Sequence, residues 1–269
     1  MPVAHVIDIV DPGDPRVADF RDLNSADRRP DVPGGKGLVI AEGVVVVQRM
    51  LASRFRPFAL LGVGRRIEQL GVDLAGVDVP CYRVGAEVMA EIIGFHLNRG
   101  ILAAAYRPPE FLSEEILPTA RTVAVLEGVN DHENIGSIFR NAAGLGADAV
   151  LFGDRCADPL YRRAVRVSMG HALRVPFASL PTWPDGLHEL REQGFQIIAL
   201  TPNPEATNLA TAMTGDRVAL LLGAEGPGLT EAAMRATDIR ARIPMTPGTD
   251  SLNVATAAAM AFYERVRTS

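Results

Sequence analysis

Lysine is almost absent from this chain: Lys36 is the only one in 269 residues, and arginine supplies the rest of the 27 basic side chains. An arginine excess suits bidentate phosphate contacts, although a GC-rich coding bias produces the same composition. Cysteine is nearly as scarce. Cys81 and Cys156 lie far apart with no CxxC or Cys/His spacing, which excludes a disulfide framework and gives no zinc-ligand pattern. Aromatic residues make up 6% of the chain. No apolar run approaches the ~20 residues of a membrane span. The start, Met-Pro-Val-Ala-His-Val, lacks the basic stretch followed by an apolar core that marks a signal peptide. A cytoplasmic protein without a membrane partner is expected. Positive net charge is missing as well: the formal charge is -5 and the pI near 5.6. Any nucleic-acid partner therefore needs a local basic patch rather than a basic whole.

What is present is a core-forming composition, 48% hydrophobic and 22% charged, long enough for one large domain or two ordinary ones. The first part alternates short elements. Strands are expected at His5 to Val10, Leu38 to Ile40, Phe58 to Val63, Val79 to Val84 and Ile101 to Tyr106. Helices are expected at Val17 to Arg29, Arg65 to Gln69 and Ala86 to Ile93, with loops at Asp11 to Pro15 and Asp31 to Gly37. Four consecutive valines within Glu42 to Leu51 have strand propensity. The spacing of Val47, Met50 and Leu51 after Gly43 favours a buried helix instead. Arg107-Pro-Pro-Glu and the acidic residues after it make 108–119 a linker, because paired prolines stop helix and sheet alike. The expected division is 1–107, linker, and 120–269.

Past Thr122 the pattern is that of an α/β sheet. Val123 to Leu126, Ala149 to Phe152, Phe177 to Leu180, Gln196 to Leu200 and Val218 to Leu222 are strands with helices between them. Asn134 to Gly144 is a helix ended by glycine, and another is expected around Leu160 to Ser168. Thr230 caps a helix to Ala236, and Ser251 starts an alanine-rich final helix through Tyr263 and Arg267.

Three segments carry chemistry. Asn134-Ile-Gly-Ser-Ile-Phe-Arg140 puts a polar side chain at a helix start and a guanidinium six residues on. Such a fork grips phosphate or ribose, while an ordinary capped helix with a solvated arginine fits the same residues. The loop Glu127 to Glu133 before it is long for a strand–helix connection. Gly223-Ala-Glu-Gly226-Pro-Gly228 follows a strand, where a nucleotide-like cofactor is usually held. Its glycines run GxxGxG late in the chain, which argues against a dinucleotide fingerprint. Glu225 on this turn orients a substrate or ties loops together; a plain turn is the alternative. Ile243-Pro-Met245, Gly248 and Ser251-Leu-Asn253-Val254 place a donor-less proline after a strand and two polar side chains at a helix mouth. Capping by Ser251 would leave Asn253 without a role. In the first part, His96 and Arg99 precede Gly100, and Arg54, Arg56, Arg65 and Arg66 cluster in sequence. These read either as phosphate contacts or as a solvated face.

In this order and spacing the three segments resemble the motifs of the SpoU (TrmH-like) family, the RNA 2'-O-ribose methyltransferases of the SPOUT superfamily. The resemblance covers the C-terminal half. The N-terminal half, with Ile40-Ala-Glu-Gly43, is similar to the substrate-binding domain of many members, a small α/β fold like that of certain ribosomal RNA-binding proteins. The resemblance implies a parallel-sheet domain with a deep trefoil knot, a homodimer, and S-adenosylmethionine as cofactor without a metal. It assigns the cofactor to Gly223, Gly226, Ile243, Met245 and Leu252, with Leu200 and Thr201 beside them. It assigns catalysis to Asn134, Arg140, Glu225, Ser251 and Asn253. Ala224 stands where many members carry asparagine or threonine, and His96-Leu-Asn-Arg-Gly100 lacks the usual glutamine after the histidine. The implied substrate is structured RNA, 23S ribosomal RNA ahead of transfer RNA. The alternative is a non-catalytic RNA-binding or ribosome-assembly protein on the same fold.

Overall fold

The computed structural model describes residues 5–21, 23, 37–246 and 248–268. The chain divides into two compact units, 1–109 with 158–174, and 110–157 with 175–269. In chain order the elements are β1 (His5–Asp8), β2 (Leu38–Glu42), α1 (Val44–Leu51), β3 (Pro57–Gly62), α2 (Gly64–Leu70), β4 (Pro80–Arg83), α3 (Ala86–Ile93) and β5 (Ile101–Tyr106). Next come α4 (Ser113–Ile116), β6 (Thr122–Glu127), α5 (His132–Gly144), β7 (Ala149–Phe152), α6 (Arg162–Val167), β8 (Phe177–Ser179) and α7 (Leu187–Glu192). The chain ends with β9 (Gln196–Leu200), β10 (Thr207–Asn208), α8 (Leu209–Ala212), β11 (Val218–Gly223), α9 (Glu231–Arg235), β12 (Ile239–Arg242) and α10 (Val254–Thr268).

The first unit is built on a mixed five-stranded sheet in the order β1-β4-β3-β5-β2. Alternate residues of four strands (Leu38, Ile40, Ala59, Leu61, Tyr82, Leu102) share one buried face with Val17, Phe20, Met89 and Ile93. The valine run is helical, as its spacing predicts. Gly43 enters α1 at φ 93°, and Val46, Val47 and Met50 are buried. Burial on a helical face outweighs the strand preference of valine here. The helix expected from Val17 is only a 3-10 turn over Pro15–Phe20, capped by Asp14. Its two buried side chains, Val17 and Phe20, are three apart, which fits a three-residue turn better than a longer α-helix. The continuation over 24–29, the loop over 31–36 and Lys36 lie outside the described residues.

The second unit has seven strands, all parallel, in the order β10-β12-β9-β11-β6-β7-β8. One face buries Val123, Val125, Leu151, Ile197, Ala219 and Leu221 against Leu187, Leu190 and Ala233. On the other, Phe139 of α5 meets Phe152 and Phe177 at centroid distances of 6.2 and 5.9 Å. The 108–119 stretch carries α4, and its Ile116 and Leu117 are buried in this unit's core. Residues 158–174, which follow β7, belong with the first unit, where Arg107 pairs with Asp158. The final helix starts at Val254 rather than Ser251. Its Arg265, only 8% exposed, donates to the carbonyls of Gly215 and Asp216 at 3.0 and 2.5 Å. Among the described residues no helix is long and apolar enough to cross a membrane.

Burial pushes the thiols of both Cys81 and Cys156 up to about 11 from the ordinary 9.0. A thiol held protonated in the folded state contributes stability in full below pH 9. That contribution is lost as pH rises through about 11, because the unfolded chain ionises first. Cys81, fully buried, is expected to resist a disulfide-exchange reagent at pH 8 and to react fully in denaturant, and half-buried Cys156 is expected to react before it. Rapid labelling of the folded protein at Cys81 would contradict this burial.

Candidate active site

Parallel strands deliver their carboxyl ends to one edge, so loops far apart in sequence become neighbours. β12, β9 and β11 are adjacent in the sheet, and the loops leaving them line one cavity of about 400 Å³. Leu200, Thr201 and Pro202 come from the first loop, Gly223 to Gly226 and Gly228 from the second, and Ile243, Met245 and Ser251 to Val254 from the third. Most of this lining is backbone or apolar side chain; Thr201, Glu225, Ser251 and Asn253 are the polar side chains on it. A cavity of this size and make-up falls in the ~300–1,000 Å³ range of small-molecule sites.

The glycine turn owes its shape to Gly223. A Cβ there would sit 2.4 Å from the backbone of Gly228 and Leu229, so no side chain fits. The chain folds back directly after β11, with Gly228 N–H donating to the Ala224 carbonyl at 3.0 Å. Gly226 and Gly228 take φ of 84° and 70°, in the left-handed region that glycine favours.

Asn253, not Ser251, caps α10: its Oδ1 accepts from the N–H groups of Ala255 and Thr256 at 2.9 and 3.2 Å. That role fixes the amide's orientation, because only the oxygen can accept. Nδ2 is thereby aimed outward, and donates to Glu225 Oε1 and Asn134 Oδ1, each at 2.8 Å. Three motif residues are thus joined by a single side chain. Asn134 does not begin its helix. Asp131 is the cap, accepting from Glu133 and Asn134 N–H at 2.6 and 3.0 Å, and Asn134 lies buried in the first turn. Asn141, seven residues on and so on the same helical face, donates to the Ala255 carbonyl at 2.9 Å.

Of the twelve residues singled out in the sequence, ten line the cavity: Leu200, Thr201, Gly223, Glu225, Gly226, Ile243, Met245, Ser251, Leu252 and Asn253. Asn134 joins them through Asn253. Arg140 does not: it is exposed on α5, turned off the face shared by Asn134 and Asn141, and is absent from the lining. Sequence reasoning missed Glu127, a carboxylate only 1% exposed at the end of β6. It accepts from Trp183 Nε1 at 2.6 Å and from the backbone N–H and Oγ1 of Thr230, each at 2.8 Å. An acidic residue closing an apolar strand before Gly128 was the available signal. Among the described residues no cluster of His, Cys, Asp and Glu is arranged to hold a metal.

Comparison with known proteins gives the same picture. Residues 121–263 match the model of the SpoU rRNA Methylase family. The chain is 66% identical over 265 residues to an uncharacterized tRNA/rRNA methyltransferase of Mycobacterium tuberculosis, covering 97% of this chain and 92% of that one. It is 29% identical over 187 residues to a Bacillus subtilis 23S rRNA (guanosine(2553)-2'-O)-methyltransferase, covering 69% and 72% of the two chains. Its fold is similar to that of an AdoMet-bound rRNA methyltransferase from Sinorhizobium meliloti, with a TM-score of 0.81 at 24% identity over 98% of each chain. With 121–263 matching the family model and a relative 66% identical over nearly the whole of both chains, this chain belongs to the SpoU family of rRNA/tRNA methyltransferases.

Proposed function

We propose that this protein transfers a methyl group from S-adenosylmethionine to a ribose 2'-oxygen of structured RNA, 23S ribosomal RNA ahead of transfer RNA. The observation that carries the reading is the cavity lined by the loops after β9, β11 and β12, the last two carrying motif segments, with Asn134, Glu225 and Asn253 hydrogen-bonded at its rim. The ribosomal RNA preference and the 2'-oxygen follow the name of the Bacillus subtilis relative.

The residues present fit the cofactor. The turn at Gly223 leaves bare backbone facing the cavity, and Leu200, Ile243, Met245 and Leu252 give it apolar walls beside the Thr201 hydroxyl. Bound S-adenosylmethionine supplies a methyl group that is already activated, so the chain's own task is mainly positioning. Gly223 and Gly226 hold the cofactor through backbone, and Asn253 keeps Glu225 and Asn134 in place around it. A guanidinium holds its protons too tightly to serve as a free base. Arg140, exposed on α5 and outside the cavity lining, therefore acts from the RNA side, as a clamp on the phosphate beside the target ribose and, with the RNA seated, on the developing oxyanion. The 2'-hydroxyl proton leaves to water or through Ser251.

The same reading makes the second unit, with Ile116 and Leu117 packed into its core, a knotted methyltransferase domain, and the first unit, which includes 158–174, an RNA-binding domain. It places the protein in the cytoplasm as a homodimer. The dimer is supported by Met260, Tyr263 and Val266 of α10, which are 43%, 60% and 54% exposed and recur every three residues.

Calorimetry is expected to find one S-adenosylmethionine bound per chain, and Gly223→Ala is expected to weaken that binding more than tenfold. Absence of binding to the native protein would leave a non-catalytic RNA-binding or ribosome-assembly role. With unmodified 23S transcripts as acceptor, methyl transfer by Arg140→Lys is expected to fall on the order of 100-fold, the scale of losing one oxyanion donor. Near-normal turnover would remove the clamp, and faster transfer to tRNA would reverse the substrate order. Tyr263→Glu is expected to convert a dimer into a monomer by light scattering; a monomeric native protein would end the dimer assignment.

A further inference from the structure

The first unit contains a buried carboxylate faced by three guanidiniums. Glu42 ends β2 and is 4% exposed. Its Oε2 accepts from Arg162 at 2.8 Å, and that guanidinium also lies 4.7 Å over the ring of Phe95. Its Oε1 is 3.9 Å from Arg99 Nε and 3.9 Å from Arg166 on the following turn of α6. These two separations are ion pairs but too long for hydrogen bonds. Arg162 therefore takes up the carboxylate by direct contact, and Arg99 and Arg166 remain as surplus charge. Among the described residues Glu42 is the one carboxylate in ion-pair range of either, and their side chains are 42% and 35% exposed.

Both arginines are nonetheless positioned. Gly43 turns at φ 93°, and a Cβ there would come within 2.9 Å of Arg99 Cδ, so the arginine lies along the bare glycine. Arg99 also donates to the Glu42 carbonyl at 3.4 Å. Arg166 is set by α6, one turn after Arg162. Guanidiniums with fixed stems, open donors and partial exposure are suited to bidentate contact with anionic oxygens. In a chain of net charge -5, such a cluster is the local basic patch that an RNA partner requires.

We propose that Arg99 and Arg166, held in place by Glu42, bind a backbone phosphate group of the RNA substrate. This rests on the RNA reading above and adds where the first unit grips. The segment His96-Leu-Asn-Arg99-Gly100, which departs from the family pattern, supplies one of the two forks. Phosphate contacts of this kind orient the substrate without reading its sequence.

The test is filter binding of unmodified 23S transcript to the full chain across a salt series. Arg99→Gln with Arg166→Gln is expected to weaken binding about tenfold or more and to reduce the slope of log affinity against log salt by about 1.4 to 1.8. Affinity for S-adenosylmethionine and kcat at saturating RNA should stay within twofold while KM for RNA rises. The Arg99→Lys, Arg166→Lys pair should restore the salt slope and part of the affinity. It carries the test if the glutamine pair fails to fold. Arg191→Gln, which removes an arginine paired with Asp238 elsewhere, should change binding by less than twofold. Unchanged affinity and slope in a folded glutamine variant would overturn the proposal. So would an equal loss in Arg191→Gln, which would mean diffuse charge. If the native protein itself bound no RNA, the functional reading would fall and this site with it; native binding with indifferent variants would sink the site alone.

Discussion

An asparagine side chain offers one good acceptor and two donors, and Asn253 has a partner for each. The acceptor faces the free N–H groups at the start of α10, leaving the two donors for Glu225 and Asn134. Asn253 therefore fixes the positions of the loop after β12, the glycine turn after β11 and the first turn of α5 at once. Aspartate could cap the helix equally well, but it would set a second carboxylate against Glu225 and donate nothing to Asn134. Serine could cap as well and would be too short to reach both partners. The cavity depends on this connection: among the described residues it is what ties the loop after β12 to the glycine turn.

Much of the fold was legible, for reasons that can be traced to particular residues. Strands in the second unit are buried on both faces, so they stand out as apolar runs such as Val218 to Leu222. The order of those strands was not legible. β11 pairs with β6 and β9 because loops between them are long enough to skip positions, and nothing in local sequence records that. Val44 to Val47 was resolved as helix only by the spacing of the residues after it. The helix expected from Val17 is a 3-10 turn as far as Phe20, where the two buried side chains, Val17 and Phe20, lie three apart. The excursion of 158–174 into the first unit was invisible, since its residues look like any strand–helix connection.

The site was legible where backbone demanded particular residue types and opaque where side chains chose their own partners. Gly223 announces itself. The exchange of capping roles between Ser251 and Asn253 does not, since both residue types cap helices well and lie two apart. Arg140 was grouped with Asn134 because one motif of the family holds both, yet a helix turns a residue six positions on well away from the first. Glu127 escaped notice because one acid closing an apolar strand before a glycine is a weak signal on its own, and its partners Trp183 and Thr230 are distant in sequence.

That last arrangement has an optical consequence. Trp183 is the protein's sole indole, and Glu127 links its ring nitrogen to the capping residue of α9, the helix that follows the glycine turn. The ring also lies where a side chain on Gly153 would collide with it, at 2.5 Å, so it is wedged as well as tethered. Its emission is a built-in reporter on the end of β6 and the entry to α9. Loosening there will register as a change in colour without a label having been attached.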